Sequence, residues 1–239
     1  MSALQQVGPQ PRAGGSLVRR LIRDISSVLI ISGVLLLLDA GVTLVWQEPV
    51  TAVIGLIERS EIDQRYLSAP LSPLDQHALG ALLVTSLRIA YLARREAREV
   101  PVGAAIGRIQ IRKIGASYTV VQGTDTASLE KGPGHYPASA LPGLGQTVAI
   151  AGHRTTYLAP FRHIDQLKPG DQIVVAMPYG RFTYAVQYHR IVPPTAVWVT
   201  DNVGYERLVL SACNPLYSAA QRIVVFARLQ AVTPLGAAQ

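Results

Sequence analysis

Apolar residues change their spacing along the chain, and each spacing predicts a different element. The longest apolar run, Ile25 to Trp46, is long enough to cross the core of a bilayer as one helix. A later stretch, Leu74 to Glu99, places apolar residues at helical spacing and has a charged C-terminal half, which predicts a second helix. Its expected apolar side consists of Leu79, Leu82, Leu83, Leu87, Ile89 and Leu92. From Val102 onward, short apolar runs alternate with clusters of Gly, Pro, Asn and Asp, which is typical of strands joined by turns.

The β-rich part of the chain predicts a closed or nearly closed barrel. Many short strands within roughly 130 residues, with small helical insertions between them, indicate this architecture. One such insertion is a short helix at residues 161–167. The candidate strands are Ile106–Ile111, Tyr118–Val121, Thr147–Ala151, Gln172–Met177, Arg181–Ile191, Leu208–Ala212 and Ile223–Leu229.

The N-terminal apolar run favours a retained signal-anchor over the alternative, a cleaved signal peptide. It is long for a signal peptide, and no clear small-x-small cleavage site follows Trp46. Arg19, Arg20 and Arg23 precede it, which predicts a cytoplasmic N-terminus and an extracytoplasmic remainder. Asp39 is the one charge in the run, and the surrounding Leu and Val residues can offset its cost. We therefore expect a single-pass protein of the cell membrane.

These elements divide the chain into five predicted parts. The helix at residues 74–99 belongs to the linker, and three roles are open to it: packing on the domain, resting on the membrane surface, or acting as a spacer. The parts are a basic cytoplasmic tail at 1–24 (disordered over 1–18), a transmembrane signal-anchor at 25–46, an extracytoplasmic helical linker at 47–101, a β-barrel domain at 102–232 and a C-terminal tail at 233–239.

Composition narrows the functional classes. A formal net charge of +7 suits an anionic membrane or cell wall as well as nucleic acid. The basic residues are scattered and accompany no nucleic-acid-binding motif, so nucleic acid is not an expected partner. The sequence shows no concentrated acidic cluster, no HExxH and no second cysteine. We therefore predict no metal site and no cofactor.

Three residues carry the chemistry. Cys213 is the only cysteine, so it forms no intramolecular disulfide, and in isolation it could be a small buried hydrophobe. Arg222 follows nine residues later, where two strands joined by a short loop would put sulfur and guanidinium side by side. His153 closes another strand, where an imidazole can titrate and is still held in direction. A thiolate, an imidazole and a fixed cation are the groups that acyl transfer at cysteine needs.

The order His153, Cys213, Arg222 resembles that of the sortases, the membrane-anchored cysteine transpeptidases of mainly Gram-positive bacteria. The resemblance covers about residues 103–232 and includes the signal-anchor. It implies an eight-stranded β-barrel with His and Cys on or beside neighbouring strands and Arg on the next. The family's Thr-Leu-x-Thr-Cys signature reads Val209-Leu210-Ser211-Ala212-Cys213 here. Ala212 thus replaces the threonine that the family uses for substrate or oxyanion contacts.

Two loops give a finer resemblance to class E sortases, with class D next. The segments AGHRTTYLAPF and GHYPASALPG are similar to the class E His loop and the loop that precedes it. The resemblance implies cleavage of an LAxTG or LPxTG sorting signal through a Cys213 thioacyl intermediate, with hydrolysis as a side reaction. Arg222 would stabilise the oxyanion, and His153 would protonate the leaving amine and deprotonate the incoming one. The implied partners are secreted proteins bearing a C-terminal sorting signal and a peptidoglycan precursor or other amine.

The resemblance also implies substrate-binding positions. Tyr136 corresponds to a tyrosine linked with the choice of sorting signal in class E. Val197 and Trp198 lie in the loop before the Cys strand, where the family binds its signal peptide. They would either line an apolar groove for that peptide or form a cluster that caps the barrel.

Two other functions are open at this stage. A pilin-polymerising sortase would use a lysine amine of another pilin as the nucleophile. The region before Val102 shows no Asp-Pro-Trp-type lid, which disfavours this function. A non-catalytic, membrane-tethered β-barrel that binds wall or protein ligands belongs to a different class and predicts that Cys213 is dispensable.

Overall fold

The N-terminal unit is one long helix. The computed structural model describes residues 14–45, 51, 53, 54, 56 and 85–234, and the chain divides into two compact units, 1–46 and 47–239. Helix α1 spans Gly14–Val45. Within it, Arg19–Val42 is 24 residues long with a mean hydropathy of 2.2, which by length and composition suffices to cross a membrane. The disorder expected for residues 14–18 is wrong, because the helix already includes them; Trp46 lies outside the described residues.

Helix α2 packs on the barrel. It is described over Thr85–Glu99, the second part of the predicted helix. Ile89 and Ala93, one turn apart, are buried in the barrel core. Leu87 was expected on this apolar side but is 54% exposed, because two residues correspond to about 200° around a helix. Of the three roles open to this helix, the structure shows packing on the domain. The predicted helical residues 74–84, among them His77, Leu79, Leu82 and Leu83, lie outside the described residues.

Eight strands close into a barrel in the order β1-β2-β3-β4-β7-β8-β6-β5, which confirms the predicted fold class. All seven strands predicted from the sequence are present, and β4 and β5 have the predicted bounds. The predicted helix at 161–167 is a 3₁₀ turn at Ile164–Gln166. The strands are β1 Ala105–Ile111, β2 Ala116–Gln122, β3 Gly134–His135, β4 Thr147–Ala151, β5 Gln172–Met177, β6 Gly180–Val192, β7 Arg207–Asn214 and β8 Gln221–Pro234.

Strand β3 is the one that the sequence did not predict. It has two residues and pairs with β2 in parallel and with β4 in antiparallel orientation. Gly134 is required there because a Cβ atom would collide with the carbonyl oxygen of Gly123. His135 is buried; its Nε2 donates to the carbonyl of Ala140 at 3.0 Å, and its Nδ1 lies 2.8 Å from Gln122 Oε1. Burial lowers the pKa of His135, which suits a neutral structural residue.

Alternation along β7 and β8 separates two apolar clusters. Leu208, Leu210 and Ala212 of β7 face the interior of the barrel. Val209 of β7 and Phe226 of β8 belong instead to a second buried cluster on the outer face. Burying a Phe or Leu side chain contributes about 1.5–3 kcal/mol, so both faces of these strands are fixed by packing. The ends of β7 and β8 can therefore hold side chains in a constant direction.

Candidate active site

The outer face of the barrel carries side chains in rows that cross β4, β7 and β8. In the parallel pair β4–β7, Ala151 lies opposite Ser211. In the antiparallel pair β7–β8, Cys213 lies opposite Arg222. Directly opposed residues point to the same face of a sheet, so the thiol and the guanidinium share the outer face. His153 follows Ala151 by two residues, as Cys213 follows Ser211, which places His153 at the end of the same row.

One cavity lies against the side chains of this row. It has a volume of about 190 Å³, and His153, Cys213 and Arg222 all line it. The structure therefore brings together the three residues that the sequence predicted as catalytic. Tyr136 and Ser211 also line the cavity.

Apolar side chains continue the face beyond the cavity. The row four residues away from Cys213 and Arg222 along their strands comprises Ala149, Val209, Phe226 and, on β6, Tyr188. The Tyr188 ring stacks on Phe226 at a centroid distance of 4.7 Å, and Trp198 lies parallel to Phe226 at 6.4 Å. Ala149, Val209 and Phe226 are themselves buried, so the exposed apolar side chains of this face are Tyr188 (43% exposed) and Trp198 (44% exposed), against which an extended peptide can pack.

Gly152 and the turn after His153 direct the imidazole. The Phe161 ring packs against Gly152, where a Cβ atom would lie 2.5 Å from the ring, so only glycine fits. The backbone N–H of Phe161 donates to the carbonyl of His153 at 3.0 Å and closes the loop. Tyr157 lies within this loop with a positive φ of 48°. Its ring lies 5.2 Å from the imidazole, which gives His153 a packed neighbour.

Two opposing influences act on the pKa of His153, and their sum favours the neutral imidazole. Burial lowers its pKa, and the Glu130 carboxylate opposes this by raising it. Within the part of the chain that the structure describes, His153 Nε2 is buried and has no hydrogen-bond partner. A neutral imidazole can accept a proton from a thiol, and a nitrogen without a partner is available for that transfer.

Glu130 reaches His153 through Tyr157. The Tyr157 hydroxyl donates to Glu130 Oε1 at 2.9 Å, and the same tyrosine ring contacts the imidazole. Glu130 lies in helix α3, Thr126–Lys131. The side chain of Asp125 caps this helix by accepting a hydrogen bond from the backbone N–H of Ser128 at 3.1 Å. The carboxylate is therefore presented from a defined helix.

We predict that Glu130→Gln lowers the pKa of His153 further. The carboxylate favours the imidazolium, and the neutral amide does not. The measurement is an NMR titration of the His153 ring protons in the wild type and the variant. Asp171→Asn is the matched control, since that carboxylate accepts from the backbone N–H of Lys168 in a turn. An unchanged or higher pKa of His153 in Glu130→Gln would contradict the prediction.

Cys213 and Arg222 occupy the adjoining ends of β7 and β8. Cys213 is a free, half-buried cysteine. Arg222 Nη1 donates to the carbonyls of Ala219 and Gln221, both at 2.9 Å. These bonds hold the guanidinium at the edge of the cavity, and the fork has further N–H groups on Nε and Nη2. A fixed cation beside a thiol suits stabilisation of a developing oxyanion.

The predicted substrate-binding residues differ in their positions. Ala212 is 3% exposed and packs in the barrel core, so it can line the cavity only with backbone atoms. Tyr136 packs against the outer cluster, and its hydroxyl lies 3.3 Å from Ser211 Oγ. Ser211 was not singled out from the sequence. Its position two residues before Cys213 in a strand was the available signal, because both side chains then share a face.

Val197 and Trp198 lie outside the lining of the 190 Å³ cavity. Val197 is 78% exposed and Trp198 is 44% exposed. Their 3₁₀ turn is tied to the sheet by Arg207 Nη2, which donates to the carbonyls of Val199 (3.0 Å) and Asp201 (2.9 Å). Trp198 therefore covers part of the outer cluster, and its contact with a peptide stays a prediction.

No cluster of three or more His, Cys, Asp or Glu side chains suited to a metal ion occurs among the described residues.

Comparison with known proteins adds an independent line of evidence. Residues 109–230 match the family model of the sortase domain. Sortase D of Bacillus subtilis is 35% identical over 131 residues, which are 53% of this chain and 64% of that protein. Sortase SrtE1 of Streptomyces coelicolor is 28% identical over 143 residues, covering 53% of this chain and 41% of that protein. The match therefore spans less than two thirds of either relative.

Solved structures show the same fold. Sortase E1 of Streptomyces coelicolor, crystallised with a tripeptide in its active site, is 25% identical with a TM-score of 0.55 and covers 57% of this chain and 94% of that one. Sortase E of Streptomyces avermitilis is 33% identical with a TM-score of 0.53, covering 58% and 96%. Relatives of both classes named from the sequence, D and E, are thus present.

Proposed function

The chain belongs to the sortase family, and we propose that it is a membrane-anchored cysteine transpeptidase acting on C-terminal sorting signals. The observation that carries the proposal is the row His153–Cys213–Arg222 around one cavity. Each group in the row has a role in acyl transfer at cysteine, and an apolar surface adjoins it. A binding module would have no use for an imidazole, a thiol and a guanidinium arranged in this way.

The reaction has two half-reactions. Cys213 passes its proton to His153, and the thiolate attacks the Thr carbonyl carbon of the signal while Arg222 binds the oxyanion. The Thr–Gly bond breaks, the leaving amine takes the proton from His153, and a thioester remains on Cys213. An incoming amine then loses a proton to His153 and attacks the thioester; the C–S bond breaks, and the departing sulfur takes that proton from His153, which restores the thiol and the neutral imidazole. Water in place of the amine gives hydrolysis.

The substrate class proposed is a secreted protein ending in an LAxTG or LPxTG signal. The solved sortase E1 holds a tripeptide in its active site, which supports peptide binding at the corresponding cavity here. Tyr136 lines that cavity with its hydroxyl near Ser211, and we propose that this pair contacts the residue that directly follows Leu, which is Ala or Pro in the two signals. The second substrate is an amine of a peptidoglycan precursor.

The location of the enzyme follows from α1. The stretch Arg19–Val42 would anchor the protein in the cell membrane with the N-terminus in the cytoplasm, because arginines precede the apolar run. The catalytic unit would then face the cell wall, where both substrates occur. This location supports a wall-anchoring role. Transfer to the lysine peptide in the test below would instead indicate a pilin lysine as the nucleophile.

The test traps the thioester. The full chain in detergent is incubated with LAxTG, LPxTG and scrambled peptides, without and then with an amine (a stem-peptide amine or a lysine peptide). Mass spectrometry is expected to show an adduct on the fragment that contains Cys213 with a signal peptide, and its transfer to the amine. No adduct with any signal peptide, or adducts equal to those of the scrambled peptide, would overturn the proposed function.

A further inference from the structure

We propose that Arg154 is a positioning residue that keeps His153 and Cys213 in register where the β4–β7 ladder ends. The inference rests on the proposed function for its kinetic consequence. Arg154 directly follows His153 in the chain, and its side chain reaches the end of β7. Nη1 donates to the Cys213 carbonyl at 3.4 Å and to Asn214 Oδ1 at 3.0 Å.

The hydrogen-bond pattern of the β4–β7 ladder supports this role of Arg154. The last backbone bond between these strands runs from the Gly152 N–H to the Ser211 carbonyl at 3.0 Å. In a parallel ladder the next N–H that the β4 side would donate across the pair is that of residue 154, to the carbonyl of residue 213. That carbonyl instead accepts from the Arg154 side chain. The guanidinium therefore supplies a hydrogen bond between the two segments beyond their last backbone bond, beside His153 and Cys213.

The same guanidinium also binds the end of the loop that follows His153. Nε donates to the Arg162 carbonyl at 3.3 Å, and Nη2 pairs with Asp165 Oδ1 at 3.0 Å. One side chain thus connects the start of the loop, the end of the loop and the end of β7. Because His153 and Cys213 are on the two sides of this connection, loss of Arg154 would let them move relative to each other.

The burial of the Arg154 side chain also supports this role. Arg154 is 5% exposed, whereas its partner Asp165 keeps 51% of its side chain exposed. A buried guanidinium is costly unless its N–H groups are all directed at acceptors. Four acceptors surround this one, so the arrangement is a built connection rather than a surface ion pair. A substitution that removes the charge would leave the Cys213 carbonyl and Asn214 without their donor.

The experiment compares Arg154→Met and Arg154→Lys with the wild type in the full chain. Arg154→Met is expected to lower kcat by about 10- to 100-fold with KM changed less than threefold, since geometry at the reacting atoms is lost and the peptide surface is retained. Lysine keeps one charged donor and should recover part of the loss. Arg95→Met, which removes the exposed ion pair of Arg95 with Glu99 on α2, should change neither constant.

A contrast variant separates positioning from general loosening of the fold. Arg207 is as buried as Arg154, at 6% exposure, but ties the Trp198 turn to the sheet. We expect Arg207→Met to act mainly on KM. The proposal would be overturned if Arg154→Met and Arg207→Met had equal effects on kcat and KM. It would also be overturned if the loss of kcat in Arg154→Met were fully explained by a smaller fraction of folded protein. Asp165→Asn supplies a milder variant should Arg154→Met fail to fold, with a smaller loss of kcat expected.

A readout without substrate distinguishes this proposal from the proposed function. The rate of Cys213 alkylation by iodoacetamide is measured in a double-mutant cycle of His153→Gln and Arg154→Met. If Arg154 keeps the imidazole beside the thiol, His153→Gln changes the rate in the wild-type background and changes it much less in the Arg154→Met background. Equal changes in both backgrounds would refute the positioning role, whether or not peptides are turned over.

Discussion

Cys213→Ala is expected to reduce turnover of a sorting-signal peptide by at least about 10³-fold, the largest effect of any single substitution in this chain. The residual rate would come from peptide binding and oxyanion stabilisation without a covalent intermediate. The measurement is the initial rate of amine-dependent product formation under saturating peptide. The same variant should give no mass adduct, since no other cysteine is present to accept the acyl group.

The control for Cys213→Ala is the folded state itself. Cys213 is half-buried at the end of β7, and it makes no disulfide. Removing its sulfur therefore leaves the barrel core intact, and the midpoint of thermal unfolding should shift by no more than a few degrees. Retention of more than a tenth of the wild-type rate in Cys213→Ala would remove Cys213 from the mechanism, whereas the absence of turnover in the wild type would favour the binding-module alternative.

Arg222→Met should lower kcat by about 10²–10³-fold, which is the usual cost of losing an oxyanion donor. Arg222 lies opposite Cys213 in the ladder, so its guanidinium is close to the carbon that the thiolate attacks. The two are held together by strand pairing, and the oxyanion exists only in the tetrahedral state. Steady-state kinetics with one peptide should show the effect in kcat, with a smaller change in KM.

Two further variants define what Arg222 supplies. Arg222→Lys keeps the charge but lacks the planar fork, so we expect partial activity between those of wild type and Arg222→Met. Arg228→Met is the matched control. Arg228 lies six residues further along β8, is exposed and stacks on Tyr205 at 4.6 Å. Its loss should leave kcat within about twofold. Wild-type kcat in Arg222→Met would show that backbone donors alone stabilise the oxyanion.

The barrel was predictable because local patterns determine most of its strands. In β4 and β5, short apolar runs bounded by Gly, Pro and Asp gave the bounds that the structure shows. The catalytic row was predictable for a different reason. Cys213 and Arg222 are joined by a short loop, so one β-hairpin brings them together, and the order of residues in a known family supplied His153.

The missed features depend on contacts between distant segments. Strand β3 has two residues and no alternation of its own, and it exists because β2 and β4 lie on either side of it. Arg154 looks like an ordinary polar residue in the sequence of its loop. Its partner Asn214 is 60 positions away, so only the register of β4 against β7 reveals the contact. Likewise, the spacing of Leu87 along the sequence predicted a buried position, but its exposure depends on which face of α2 packs against the barrel.

The alternation along β7 has a consequence for how this site can change. Leu210 and Ala212 pack inside the barrel, while Ser211 and Cys213 point outward. Deleting or inserting a single residue in this strand would exchange the two sets, moving the thiol into the core and an aliphatic side chain onto the surface. The site can therefore diversify by substitution, whereas length changes in this strand are forbidden and must be confined to the surrounding loops.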